Sequence, residues 1–180
     1  MRTCICGSTA TRPIGNCYGR RLLTVPGGAY AGLRAALIQT EAGELRLYVS
    51  GPVGNDWSTS LLVADDCADD AADCVMDSDG NLYVAYVESG GGYPVFKKLS
   101  LDGGVWTVGT RRTIYESAVC SNPSIARTLS GVLWVSYSRY NQPNRDVYVK
   151  SSADDGLTWG SGSTDAGDLL SSGYMYSYSR

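Results

Sequence analysis

The sequence predicts an all-β fold assembled from three similar antiparallel units of four short strands each. Three observations point there. Trp57, Trp106 and Trp159 recur at intervals of 49 and 53 residues, each after the same succession of strand and turn signals. Stretches such as LYVAYV and LWVSYS are rich in β-branched and aromatic residues and are bounded by short polar turns. The 3.6-residue apolar repeat of an amphipathic helix is almost missing.

The first unit reads as LLTV (22–25), a glycine-rich connection, the strand RAALIQ (34–39), the turn TEAGE (40–44), LRLYV (45–49), SGPVGNDW (50–57) and SLLV (60–63). The second reads as ADCVM (72–76), the turn DSDG, LYVAYV (82–87), the glycine loop SGGGY, VFKKL (95–99), SLDGGVW (100–106) and RTIY (112–115) as outer strand. In the third, Ser124 to Thr128 is a strand, Leu129 to Gly131 a turn and LWVSYS (133–138) a strand. A polar loop RYNQPNR, the strand DVYVKS (146–151), the stretch SADDGLTW (152–159) and an outer strand at Leu169 and Leu170 follow. Glycine and Asp or Asn mark the turns, because glycine accepts positive φ and the short polar side chains bond their own backbone.

Repetition of this kind is the signature of β-propeller blades, here 21–66, 67–117 and 118–170. A cysteine-containing segment (1–20) precedes them, and residues 171–180, with alternating tyrosines, read as the start of a further strand or a tail. A blade cannot bury both faces alone, and propellers use about 4 to 8 of them. Three blades therefore imply an incomplete ring, closed by further copies of the chain, by other proteins or by missing sequence.

Ser152, Asp154, Gly156, Thr158 and Trp159 fill all five defining positions of the pattern Ser-x-Asp-x-Gly-x-Thr-Trp. Two weaker copies keep register with it. Ser50, Gly54 and Trp57 survive in the first, and Asp102, Gly104 and Trp106 in the second, which is one residue shorter. The pattern resembles the Asp box of sialidase-like (BNR-repeat) β-propellers. The resemblance implies a box in the hairpin between a blade's third and fourth strands, at the periphery and with a structural role. In such a turn Asp154 accepts backbone N–H bonds, Gly156 supplies positive φ and Trp159 packs on the blade.

Enzymes of that family use three arginines for the substrate carboxylate, an aspartate acid/base and a tyrosine nucleophile paired with a glutamate. Arg34 and Arg127 fall near inner strands, and Tyr115 adjoins Glu116, but no complete set can be assigned, so no catalytic residue is expected. The chain has no histidine, which excludes Ser/His/Asp triads and histidine metal sites within it. Neither metal nor cofactor is expected. The run from Ala64 to Asp73 reads as a solvated connection between blades, and Asp77 to Asn81 as a tight hairpin turn despite a likeness to the opening of a calcium loop. Of six cysteines, Cys67 and Cys74 are the expected disulfide if one forms. Tyr93, Tyr140 and Arg145 occupy loops able to touch sugars or proteins.

A net charge of −3 with scattered cations argues against nucleic acid as a partner, and no apolar run reaches the 18 or so residues that span a bilayer. No secretory signal peptide is visible, which suits a virion protein released by lysis or another extracellular protein. The leading expectation is a non-enzymatic propeller module with a structural or binding role in a larger extracellular or viral, phage-like assembly. A fragment of an exo-sialidase-like glycoside hydrolase and a carbohydrate-binding, lectin-like propeller are the alternatives.

Overall fold

The computed structural model describes residues 22–40, 42–51, 56–141 and 144–172. Among them are three antiparallel sheets whose strands lie side by side in chain order. Sheet 1 comprises β1 (Leu22–Thr24), β2 (Arg34–Gln39), β3 (Leu45–Ser50) and β4 (Thr59–Ala64). Sheet 2 comprises β5 (Cys67–Met76), β6 (Leu82–Glu88), β7 (Pro94–Asp102) and β8 (Val105–Val108), with the short β9 (Arg112–Thr113) also paired to β7. Sheet 3 comprises β10 (Cys120–Arg127), β11 (Leu133–Asn141), β12 (Asn144–Ser152) and β13 (Asp168–Ser171). The all-β, four-stranded antiparallel organisation read from the sequence is therefore present. Gly54 and the segment 1–20, with Cys4, Cys6 and Cys17, lie outside the described residues.

Strand β6 explains how the sheets meet. Successive side chains of a strand point to opposite faces. Leu82, Val84 and Tyr86 join one core with Leu37, Leu45 and Leu47 of sheet 1. Tyr83 and Ala85 join a second core with Ile125, Leu133, Val135 and Tyr137 of sheet 3. Sheet 2 is thus covered on both faces, and every residue from Leu82 to Val87 is buried. This is why LYVAYV is apolar almost throughout, whereas LWVSYS alternates: one face of β11 is core and the other is not. Each large side chain removed from water here contributes about 1.5–3 kcal/mol.

Polar contacts add direction to this packing. The carboxylate of Asp73, 4% exposed, accepts the Cys74 N–H (2.8 Å) and, from sheet 3, the Ile125 N–H (2.9 Å) and Ser124 hydroxyl (3.0 Å). The solvated connection expected over 64–73 is therefore corrected. Its second half is strand β5, where a bulge lets the residues between Cys67 and Ala72 oppose only the stretch from Glu88 to Tyr86. Asp73→Ala should cost about 1–3 kcal/mol, because it strips a buried N–H of its acceptor. Urea unfolding measures this, and an unchanged midpoint would refute the bridge.

The Cys67–Cys74 disulfide is also corrected: the two are buried and not joined to each other. They lie on one strand opposite Glu88 and Val84. Four partner residues at about 3.3 Å each hold them roughly 13 Å apart, beyond disulfide reach. The outer strand expected at RTIY forms in part, as β9 (Arg112–Thr113) against Phe96 and Val95 of β7, and a further strand, β8, precedes it on the same edge of β7. Gly103 and Gly104, at φ +56° and +79°, reverse the chain in two residues, so β8 returns at once and carries Trp106.

Turn Asp77–Asn81 matches its reading as a tight hairpin. Asp77 accepts from the Asp79 and Asn81 N–H groups (3.0 and 2.9 Å), the Asn81 amide (3.0 Å) and the Tyr83 hydroxyl (2.9 Å). A carboxylate with four local donors is occupied as a turn anchor.

Candidate functional site

The best-defined constellation is the loop between β12 and β13, where the complete Ser-x-Asp-x-Gly-x-Thr-Trp pattern lies. Asp154 organises it. Its Oδ1 accepts the Thr158 N–H (2.9 Å) and the Ser152 hydroxyl (2.7 Å), and its Oδ2 accepts the Thr158 hydroxyl (2.6 Å). Ser152 Oγ in turn accepts the Gly156 N–H (2.9 Å). Hydrogen bonds from the Thr158 hydroxyl, the Thr158 N–H and Ser152 hold the Asp154 carboxyl down at about 2.

Since that value lies below the unfolded one near 3.9, the bonds contribute stability present in full above about pH 4 and lost as pH falls towards 2. Between pH 5 and pH 2 the urea midpoint of the native chain should drop further than that of Asp154→Asn. Parallel curves would show that Asp154 does not act this way.

The loop docks onto sheet 2. Trp159, 2% exposed, meets Phe96 of β7 edge-on, with ring centroids 5.3 Å apart. Gly156 has φ +87°, and a Cβ built there would sit 2.1 Å from Phe96 Cε1. Asp155, itself at φ +64°, pairs with Lys98 of β7. Sequence reasoning gave Trp159 a packing role within its own unit, yet its partner belongs to the preceding sheet. Loop 160–167 is fastened by Lys150, 2% exposed, whose ammonium donates to the carbonyls of Ile114 (2.8 Å), Gly162 (2.6 Å) and Asp165 (2.7 Å). Burial pushes the Lys150 pKa down, and nearby Asp165 opposes this.

The weaker copies are built differently. In sheet 1 the Arg34 guanidinium donates to Ser50 Oγ (3.4 Å) and the Gly51 carbonyl (3.2 Å) and lies 5.8 Å from the Trp57 ring centre, so an arginine spans the ends of the segment. In sheet 2 Asp102 ends β7 and Gly104 lies in the two-residue turn that follows, and Trp106, 3% exposed, donates its indole N–H to the Gly80 carbonyl (2.9 Å). The indole N–H of Trp159 is buried without a hydrogen-bond partner among the described residues, so its ring rather than its donor fixes the docking.

Beside the docked loop is a cleft of about 250 Å³ lined by Phe96, Lys98, Ser100, Thr110, Arg112 and Leu157, with other residues. Its cations and hydroxyls can receive a small polar molecule. At the opposite ends of the strands, the hairpins carrying Tyr93 and Tyr140 meet through Val119. Gly92 accepts the Cys120 N–H (2.7 Å), and Val119 accepts the Tyr140 N–H (2.9 Å). The loop read over RYNQPNR is shorter than expected, since β11 and β12 extend into it. Tyr140, 45% exposed, pairs across the strands with Arg145, whose guanidinium lies 5.6 Å from the ring centre.

Tyr115 and Glu116 do not form a nucleophile pair. Tyr115 is 2% exposed and its phenol is pushed up by burial, whereas Glu116 is exposed and accepts the Ser163 hydroxyl (2.7 Å). Arg127 lies over Tyr83 at 5.3 Å, and Arg139 lies over Tyr115 and Tyr148 at 5.7 and 5.8 Å. These guanidinium groups pack on rings. No group of three or more potential metal-ligating side chains occurs among the described residues. No family model matches the chain, and no curated protein matches it.

Proposed function

We propose that this chain is a three-bladed segment of a sialidase-like β-propeller, with a structural or binding role in a larger extracellular or viral assembly. One observation carries the reading: sheet 2 is covered on both faces by its neighbours, with the docked box locking sheet 3 onto β7. Successive blades of a propeller cover one another in this way. The buried Tyr115 and the diverted Glu116 supply no activated nucleophile, which favours a non-enzymatic role over a glycoside hydrolase fragment. The mass and symmetry of the native particle, together with a sialoside-hydrolysis assay, test this. A large particle with repeated copies and no hydrolysis supports it, and an isolated monomer that cleaves a sialoside overturns it.

Exposed Tyr140 with Arg145 beside it favours carbohydrate binding as the second reading. Glycan-array binding lost in Tyr93→Ala or Tyr140→Ala would replace the structural reading with this one.

A further inference from the structure

The cleft beside the docked loop is built from three segments that converge on one face of sheet 2. Phe96, Lys98 and Ser100 alternate along β7 and therefore share a face, the one that Phe96 turns towards sheet 3. Arg112 is the cross-strand neighbour of Phe96 and stands on the same face. The segment leading into β9 is held close, since the Gly109 N–H donates to the Lys98 carbonyl (2.8 Å) and a Cβ at Gly109 would lie 2.7 Å from that oxygen. Asp155, Gly156 and Leu157 of the box loop complete the lining.

The polar groups of this cleft are unevenly matched. Lys98 is paired with Asp155. Arg112 is exposed and, among the described residues, has neither an ion-pair partner nor a hydrogen-bond acceptor. The side-chain hydroxyls of Ser100 and Thr110 likewise donate to no described residue. Two cations against one carboxylate leave a single positive charge over, and donors outnumber acceptors. Leu157, 60% exposed, adds an apolar edge. Arg111, one residue before Arg112, is paired with Glu88 and does not line the cleft.

We propose that this cleft binds an acidic sugar unit, one hydroxylated ring bearing a single carboxylate or sulfate group. Arg112 takes the oxyanion, because the guanidinium fork presents parallel N–H donors to two of its oxygens at once. Ser100 and Thr110 bond the ring hydroxyls, and Leu157 covers a C–H face of the ring. The single excess charge is balanced by a monoanion, whereas a phosphate monoester would set its second charge against Asp155. A volume of about 250 Å³, below the roughly 300–1,000 Å³ of sites for drug-sized ligands, suits one ring. The site is separate from Tyr140 and Arg145, at the opposite end of β12, and does not rest on the propeller reading.

Saturation-transfer NMR on the full chain tests it with three probes: D-glucuronate, glucose sulfated on its primary hydroxyl, and unmodified glucose as the uncharged control. At least one of the anions should bind, and glucose about tenfold more weakly or not at all. Binding of glucuronate alone makes the ligand a carboxylate, binding of the sulfated sugar alone makes it a sulfate ester, and either supports the site. Arg112→Gln should weaken binding by about tenfold or more, while Arg111→Gln removes the same charge outside the cleft and should change it by less than about twofold. Leu157→Ser should also weaken it, and circular dichroism establishes that the three variants are folded. Failure of both anions to bind, glucose binding as tightly as they do, or equal losses in the two arginine variants would each overturn the proposal. None of these results bears on the propeller reading, which particle mass and symmetry decide.

Discussion

Lys150→Met is expected to lower the unfolding free energy by about 3–5 kcal/mol, because it leaves three carbonyls that face the ammonium without a donor. Domains of this size have only about 5–15 kcal/mol in hand, so the variant should sit near the edge of folding. Methionine keeps most of the stem volume, which isolates the lost hydrogen bonds from cavity formation. Urea titration followed by tryptophan fluorescence gives the number. A change below about 1 kcal/mol would mean that the carbonyls find water and that loop 160–167 does not depend on Lys150.

Gly156→Ala should cost about 2–5 kcal/mol from two additive sources. A non-glycine residue in the left-handed region costs about 1–2 kcal/mol, and a methyl group forced against the Phe96 ring adds about 1–3 kcal/mol of overpacking. The second source is separable. Phe96→Ala is itself destabilising, but in the double variant the new methyl has room, so the two losses should sum to at least about 1 kcal/mol more than the double variant shows. Strict additivity would place the whole cost in the backbone and remove the argument that the box docks through this contact.

Much of the strand order was legible because it rests on local signals. β-branched and aromatic runs marked the strands, and glycine with Asp or Asn marked the turns, as at Asp77–Asn81. What the sequence hid depends on partners distant along the chain. Asp73 looked like one more acid in a polar connection, and only the approach of β10 gives it donors at Ser124 and Ile125. Lys150 gave a faint signal: it shares a face with Tyr148 in an alternating strand, so a charge there had to be buried or to distort the sheet. Its three carbonyl partners come from segments 12 to 36 residues away.

Equivalence of the three tryptophans was legible only as spacing. Trp159 sits in a loop and reaches the preceding sheet, Trp106 lies within a strand, and Trp57 is held by an arginine. A difference of one residue in the turn decides between the first two, and periodicity cannot show it.

The double covering of sheet 2 governs the order in which the molecule comes apart. Its two cores share no residue, so sheet 1 or sheet 3 can open while the other core stays intact, but sheet 2 cannot open before one of them does. Amide hydrogens of β6 should therefore exchange last, at a rate set by global unfolding, and those of β1 and β13 first. Cooperativity thus passes through one strand, and the chain responds to stress from its two ends inward.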